Sequence, residues 1–187
     1  ALRNKGDGTF RELRPFTGAD KLRGFVYADF DSDGDPDAAL LDNDRRLKVF
    51  SNERLGIFRE RAIPEGIEAI FNIDAADINS DGVLDLLLLD YYYVLKRLSD
   101  KGGGAGWEMG EVFGRQAEGE PVPPTPGSGS LLIYDIDNNG ALDVVAGNRF
   151  WLNGSPARKL PHLDPGYSSA MAAGDLTGDG RVDLLAF

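Results

Sequence analysis

The 187-residue sequence has no cysteine, one histidine, two methionines and two tryptophans. Without cysteine, disulfide frameworks, zinc–thiolate sites and thiol nucleophiles are excluded. Long apolar runs are also missing. Leu86–Leu89 is strand-sized, and no stretch approaches the roughly 20 residues of a membrane helix. Positive charge is scarce: Lys and Arg number 20 against 31 Asp and Glu, for a formal net charge of −11. Such a surface repels nucleic acid phosphates and anionic lipid, so neither is an expected partner. The chain begins at Ala1 with neither an initiator Met nor a signal sequence, so a processed, excised or incomplete chain is expected. What remains is 42% hydrophobic and 27% charged. That is a globular mixture, read as one domain over 1–187 or a segment of a larger one.

The acidic residues are concentrated in four copies of one nonapeptide, at 29–37, 77–85, 135–143 and 175–183, all fitting D-x-[DNT]-x-[DN]-G-x-x-D. Oxygen-bearing side chains occupy positions 1, 3, 5 and 9: Asp29, Asp31, Asp33 and Asp37; Asp77, Asn79, Asp81 and Asp85; Asp135, Asp137, Asn139 and Asp143; Asp175, Thr177, Asp179 and Asp183. Thirteen of the 31 acidic residues fall at these positions. Carboxylates crowded this closely repel unless a cation neutralises them. Ca²⁺ takes six to eight oxygens at about 2.3–2.6 Å in irregular geometry, whereas Mg²⁺ demands a stricter octahedron. Backbone carbonyls at position 7 (Asp35, Val83, Ala141 and Arg181) complete the expected ligand set. Glycine at position 6 (Gly34, Gly82, Gly140 and Gly180) permits the sharp turn. Four Ca²⁺ ions would bring the charge to about −3. The alternative is a set of metal-free Asp/Asn/Gly turns, since these residues favour turns anyway; four copies with the same oxygen positions favour metal. The first loop is the most acidic, and Thr177 makes the fourth the expected weakest site.

An EF-hand needs a Glu at loop position 12 and flanking helices. Position 12 here is Leu40, Leu88, Ala146 and Ala186. The flanks, such as Phe25–Ala28 before a loop and Leu86–Leu89 after one, read as short buried strands. A further feature follows the nonapeptide, namely a strand ending in Asn, a Gly-containing turn and an aromatic strand: LRNKGDGTF at 2–10, VFSNERLGIF at 49–58 and a partial FWLNG at 150–154.

These features resemble the FG-GAP/VCBS repeat family, the calcium-loop β-propeller repeats of integrin α-chain heads and many bacterial surface proteins. The literal FG and GAP strings are largely absent, so the likeness is to the wider VCBS-like branch. The resemblance implies an all-β fold, a β-propeller of four-stranded blades with an inner strand, calcium loop and three further strands. First aspartates are spaced by 48, 58 and 40 residues, and by 41 across the joined termini. The expectation is therefore four repeats, with the last blade shared between the C- and N-termini, or else a segment of a larger propeller. The long interval carries Gly/Pro-rich loop insertions at 102–106 and 114–130, with Trp107–Phe113 between them as an outer strand.

Strand alternation places the calcium loops and third-to-fourth-strand turns on one face of the assembly. The other face would carry Arg45, Tyr91, Tyr92, Tyr93 and Arg149, a surface suited to a protein or glycan ligand; alternatively the tyrosines simply end a strand. The expected function is a calcium-binding, extracellular or cell-surface adhesion module holding up to four Ca²⁺, with the loops mainly structural. Assembly with another chain or with the rest of a larger propeller is open. No catalytic residues are expected. The alternatives are a glycan hydrolase or lyase using a carboxylate pair, with Glu68 and Glu108 as unremarked candidates, and a purely structural spacer. His162 reads as a surface or packing residue, Trp107 and Trp151 as core, and Asn153 as a formal glycosylation acceptor made doubtful by Pro156.

Overall fold

The computed structural model describes residues 1–114, 131–153, 155–161 and 170–186. Among them there are strands and turns but no helix, and so none able to cross a membrane. His162 and most of the expected 114–130 loop lie outside the described residues.

Three four-stranded antiparallel sheets follow one another along the chain. The first comprises β3 (Leu22–Ala28), β4 (Asp37–Asp42), β5 (Leu47–Asn52) and β6 (Phe58–Arg61). The second comprises β7 (Ile70–Ala76), β8 (Asp85–Asp90), β9 (Leu95–Asp100) and β10 (Trp107–Phe113). The third comprises β11 (Leu131–Tyr134), β12 (Asp143–Ala146), β13 (Arg149–Trp151) and β14 (Arg158–Lys159). Each is a simple meander in which sequence neighbours pair. Trp107–Phe113 forms the outer strand expected of it, and 102–106 is the turn before that strand.

Two half-sheets flank these three. β1 (Leu2–Asn4) pairs with β2 (Phe10–Glu12), and β15 (Ala170–Gly174) pairs with β16 (Asp183–Ala186). The sequence predicts that they join into one shared sheet; here they remain separate two-stranded sheets. The first strands form a row, with β3 packing on β7, β7 on β11 and β11 on β15.

The core lies between sheets, and strand alternation assigns each side chain to one gap or the other. In β8, the run Leu86–Leu89 is buried throughout. Leu86 and Leu88 pack with Ala39, Leu41 and Val49 of the first sheet. Leu87 and Leu89 pack with Val144, Ala146 and Trp151 of the third. A strand covered on both faces needs apolar residues at every position, hence an unbroken leucine run instead of an alternating pattern. Gly24 sits where the first two sheets approach closely: a Cβ there would lie 3.5 Å from Ile73 Cγ1 of the second sheet and 3.2 Å from Cβ of its own cross-strand neighbour Leu41. Both tryptophans are core residues, with Trp151 stacked on Phe113 at a centroid distance of 4.0 Å.

Candidate metal centres

All four nonapeptides fold into the same turn, between the first and second strands of their unit. The position 1 carboxylate accepts hydrogen bonds from the amides of positions 5 and 6. Asp29 takes Asp33 and Gly34 at 3.1 and 3.0 Å; Asp77 takes Asp81 and Gly82, both at 2.9 Å. Asp135 takes Asn139 and Gly140 at 2.9 and 2.8 Å; Asp175 takes Asp179 and Gly180 at 3.1 and 2.9 Å. The position 5 oxygen accepts from the position 7 amide in each loop, at 2.7–2.9 Å. The glycine at position 6 has φ between +82° and +89° in every copy, a left-handed conformation that a Cβ disfavours.

Sequence reasoning missed a second left-handed residue. Position 4 holds Ser32, Ser80, Asn138 and Gly178, with φ of 60°, 58°, 56° and 76°. Asn138 and Gly178 carry the usual signal for that conformation, whereas the two serines do not.

The position 9 carboxylate anchors the loop to the sheet. One oxygen accepts from the position 2 amide: Asp37 from Phe30, Asp85 from Ile78, Asp143 from Ile136 and Asp183 from Leu176. The other oxygen of Asp37 accepts from Asn52 N at 2.9 Å, at the end of the third strand, and that of Asp143 from Asn153 N at 3.0 Å, just past it. Asp85 instead accepts from the Ser99 hydroxyl, with the Arg97 guanidinium at 3.6 Å.

The four loops differ in what surrounds their oxygens. Carboxylate oxygens of Asp29, Asp31 and Asp33 lie within 4.8 Å of one another, as do those of Asp135, Asp137 and Asp143. In the first loop, Asp31 Oδ1 is buried and has no hydrogen-bond partner. Burial, then the neighbouring Asp33, raises the pKa of Asp31. Burial pushes Asp37 up to about 6, against the opposing hydrogen bond from Asn52. Crowded carboxylates, half-buried at Asp29 and Asp31 and buried at Asp37, with one unsatisfied oxygen, are a donor set suited to a hard divalent cation, so this loop fits Ca²⁺. The second loop spends its oxygens differently. Asn79 donates to Asp81 at 2.7 Å, and Asp85 faces Ser99 and Arg97. In the exposed fourth loop, Asp175 is held below the usual carboxylate range by the amide of Gly180 and, less strongly, by those of Gly178, Asp179 and Thr177.

Neighbouring turns enclose the first loop. Arg54, from the turn between β5 and β6, pairs with Asp35 and reaches the Asp33 carbonyl at 3.4 Å. Arg61 pairs with Asp100 of the second sheet and lies 4.0 Å from the Trp107 ring centroid. Arg54, Arg61 and the 103–106 turn line a cavity of about 570 Å³ together with Asp31 and Asp33.

At the opposite end of the sheets, Asn43 N donates to Lys21 O and Tyr91 N to Ala69 O, so the second-to-third-strand turns do share the other face. Tyr91 and Tyr92 are exposed there, in an edge-on pair 5.8 Å apart, and Arg45 lies 5.2 Å from the Tyr91 ring. Tyr93 and Arg149 do not join this surface, contrary to expectation. Both are buried: Tyr93 takes φ +60° at the turn and joins the core between the second and third sheets, and Arg149 opens β13 of the third sheet. Glu68 precedes β7 and Glu108 opens β10, at opposite ends of the second sheet, so they form no carboxylate pair.

Strand, acidic loop, strand, two further strands, and the start of the next unit: one full period runs from Asp29 into β8. Residues 29–88 match the FG-GAP-like repeat. No curated protein matches the chain. The matched FG-GAP-like stretch contains the first loop, with the buried Oδ1 of Asp31, and the whole of the second. The third and fourth loops lie beyond it but repeat its hydrogen bonds.

Proposed function

We propose that the chain is a calcium-stabilised β-propeller module that binds a protein or glycan partner in an extracellular or cell-surface setting. The observation that carries this reading is the first loop, where Asp29, Asp31 and Asp33 converge and Asp31 keeps a buried oxygen without a partner. An ion there removes the repulsion, and its binding free energy becomes folding free energy. Loops of this kind work where Ca²⁺ is at roughly 10⁻⁴–10⁻³ M, the extracellular regime. The meander sheets with their first strands in a row support a radial, blade-like arrangement.

A calorimetric calcium titration with thermal melts tests it. A site filled at a hundred times its dissociation constant contributes about 2.7 kcal/mol, or roughly 5–10 °C for a domain of this size. A melt indifferent to chelator would refute the calcium role. For recognition, the exposed pair Tyr91 and Tyr92 with Arg45 is the proposed contact surface, rigid aromatic area beside a cation. Changing both tyrosines to Ser should abolish capture of a partner found by glycan array or pull-down. Retained binding by the folded variant would exclude the patch.

A further inference from the structure

The three four-stranded sheets meet through one repeated interface. The face turned towards the preceding sheet presents the first strand's Ile73 and Ala75 in the second sheet, and Leu131 and Ile133 in the third. Counting from the loop aspartates, the equivalent residues of the first sheet are Phe25 and Tyr27. Ile73 and Leu131 are 6% and 5% exposed, whereas Phe25 is 53% exposed. Phe16 and Ala19 cover only the neighbouring part of that face, over Ala38, Leu40 and Phe50.

The opposite end of the row shows the complementary half. The face turned towards the following sheet presents Ala39 in the first sheet and Leu87 in the second, both 0% exposed. Their equivalent in β16 is Leu185, 57% exposed. Leu176 of the fourth loop corresponds to Phe30 of the first, and the two are 70% and 0% exposed. Thus the chain bares both halves of its own sheet-to-sheet interface, one at each end of the row β3–β7–β11–β15.

We propose that a second copy of the chain fills this gap, its β15–β16 unit docking through Leu176 and Leu185 on the Phe25–Tyr27 face of β3. The argument is continuity: the contact is the one already formed twice within each chain, and it joins unlike surfaces, so it is directional. Within a single copy the two faces stand at opposite ends of the row and are both open. Two copies joined at both ends would bring together six four-stranded sheets and two β15–β16 units. That total falls within the four to eight blades of closed rings. The inference does not depend on calcium.

Sedimentation velocity across a wide concentration range, with and without chelator, tests it. The wild-type chain should double its mass as concentration rises. Phe25→Asp with Tyr27→Asp blocks one face, and Leu176→Asp with Leu185→Asp blocks the other. Each variant alone should stay monomeric, and the mixture of the two should form a 1:1 complex through the remaining intact pair. Circular dichroism melts matching wild type confirm that the variants fold. A wild-type chain that stays monomeric, a dimer that survives in both variants, or variants whose mixture forms no 1:1 complex overturns the proposal. A monomer in which Phe25 and Leu185 are both protected from surface labelling overturns it in favour of closure within one chain.

Discussion

The first and fourth loops share a pattern, a backbone conformation and a set of amide-to-carboxylate hydrogen bonds, yet their surroundings differ at every other level. In the first, Phe30 at position 2 is sealed in the core and Asp37 at position 9 is buried. In the fourth, Leu176 at position 2 and Leu185 of the strand beyond it face water. The nonapeptide therefore encodes its own turn, through contacts spanning only a few residues. Burial of the loop oxygens comes from the next sheet, whose 103–106 turn lies beside Asp31. Local code gives the shape of the loop, and tertiary packing gives the burial of its oxygens.

The largest effect separating the two regions should come from the core they do not share. Leu88→Ala, in the gap between the first two sheets, should cost about 2–5 kcal/mol in denaturant unfolding. Leu185→Ala at the exposed end should cost under about 0.5 kcal/mol at concentrations where the protein is monomeric. Similar costs at both positions would mean that the last unit is packed as tightly as the middle ones.

Acidity sharpens the contrast next. Asp37 is pushed up to about 6 when no ion is present, so the folded state holds its proton over the window in which the unfolded chain, near 3.8, has released it. The metal-free protein should therefore lose stability as pH rises through that window and regain it on acidification. With calcium bound the sign reverses, because the ion requires the ionised carboxylate. Melts at pH 5 and 7, with chelator and with calcium, should cross. Asp37→Asn should flatten the chelated profile.

A smaller effect compares the turns themselves. Gly34→Ala and Gly180→Ala both place a Cβ at φ above +80°, in otherwise open space. Each should cost about 1–2 kcal/mol of local conformational energy. The first should also lower calcium affinity more than the second, measured by titration. Equal affinity losses would show that burial around Asp31 adds nothing to ion binding.

Much of this was legible in the sequence. The four loops, their glycines, the strand that follows each, and Trp107–Phe113 as an outer strand all follow from spacing and residue type. The polar ends of the strands were legible for the same reason, since Asp and Gly leave few conformations to choose from. What could not be read depends on neighbours far along the chain. The partnering of Arg61 with Asp100 spans 39 residues. The inward turn of Tyr93 depends on the core it forms with the third sheet. A run of three tyrosines shows no alternation by composition alone, so which ring faces water is decided by a single left-handed residue.

The position 9 aspartate holds the loop amide with one oxygen and, in the first and third units, an amide at or just past the end of the third strand with the other. Strands of similar composition, repeated along one chain, invite slippage and pairing with the wrong unit. A side chain that grips two separate points satisfies both only in one alignment, so each meander carries its own proofreading contact. Errors of register are thereby penalised unit by unit, before any neighbouring sheet has arrived to bury them.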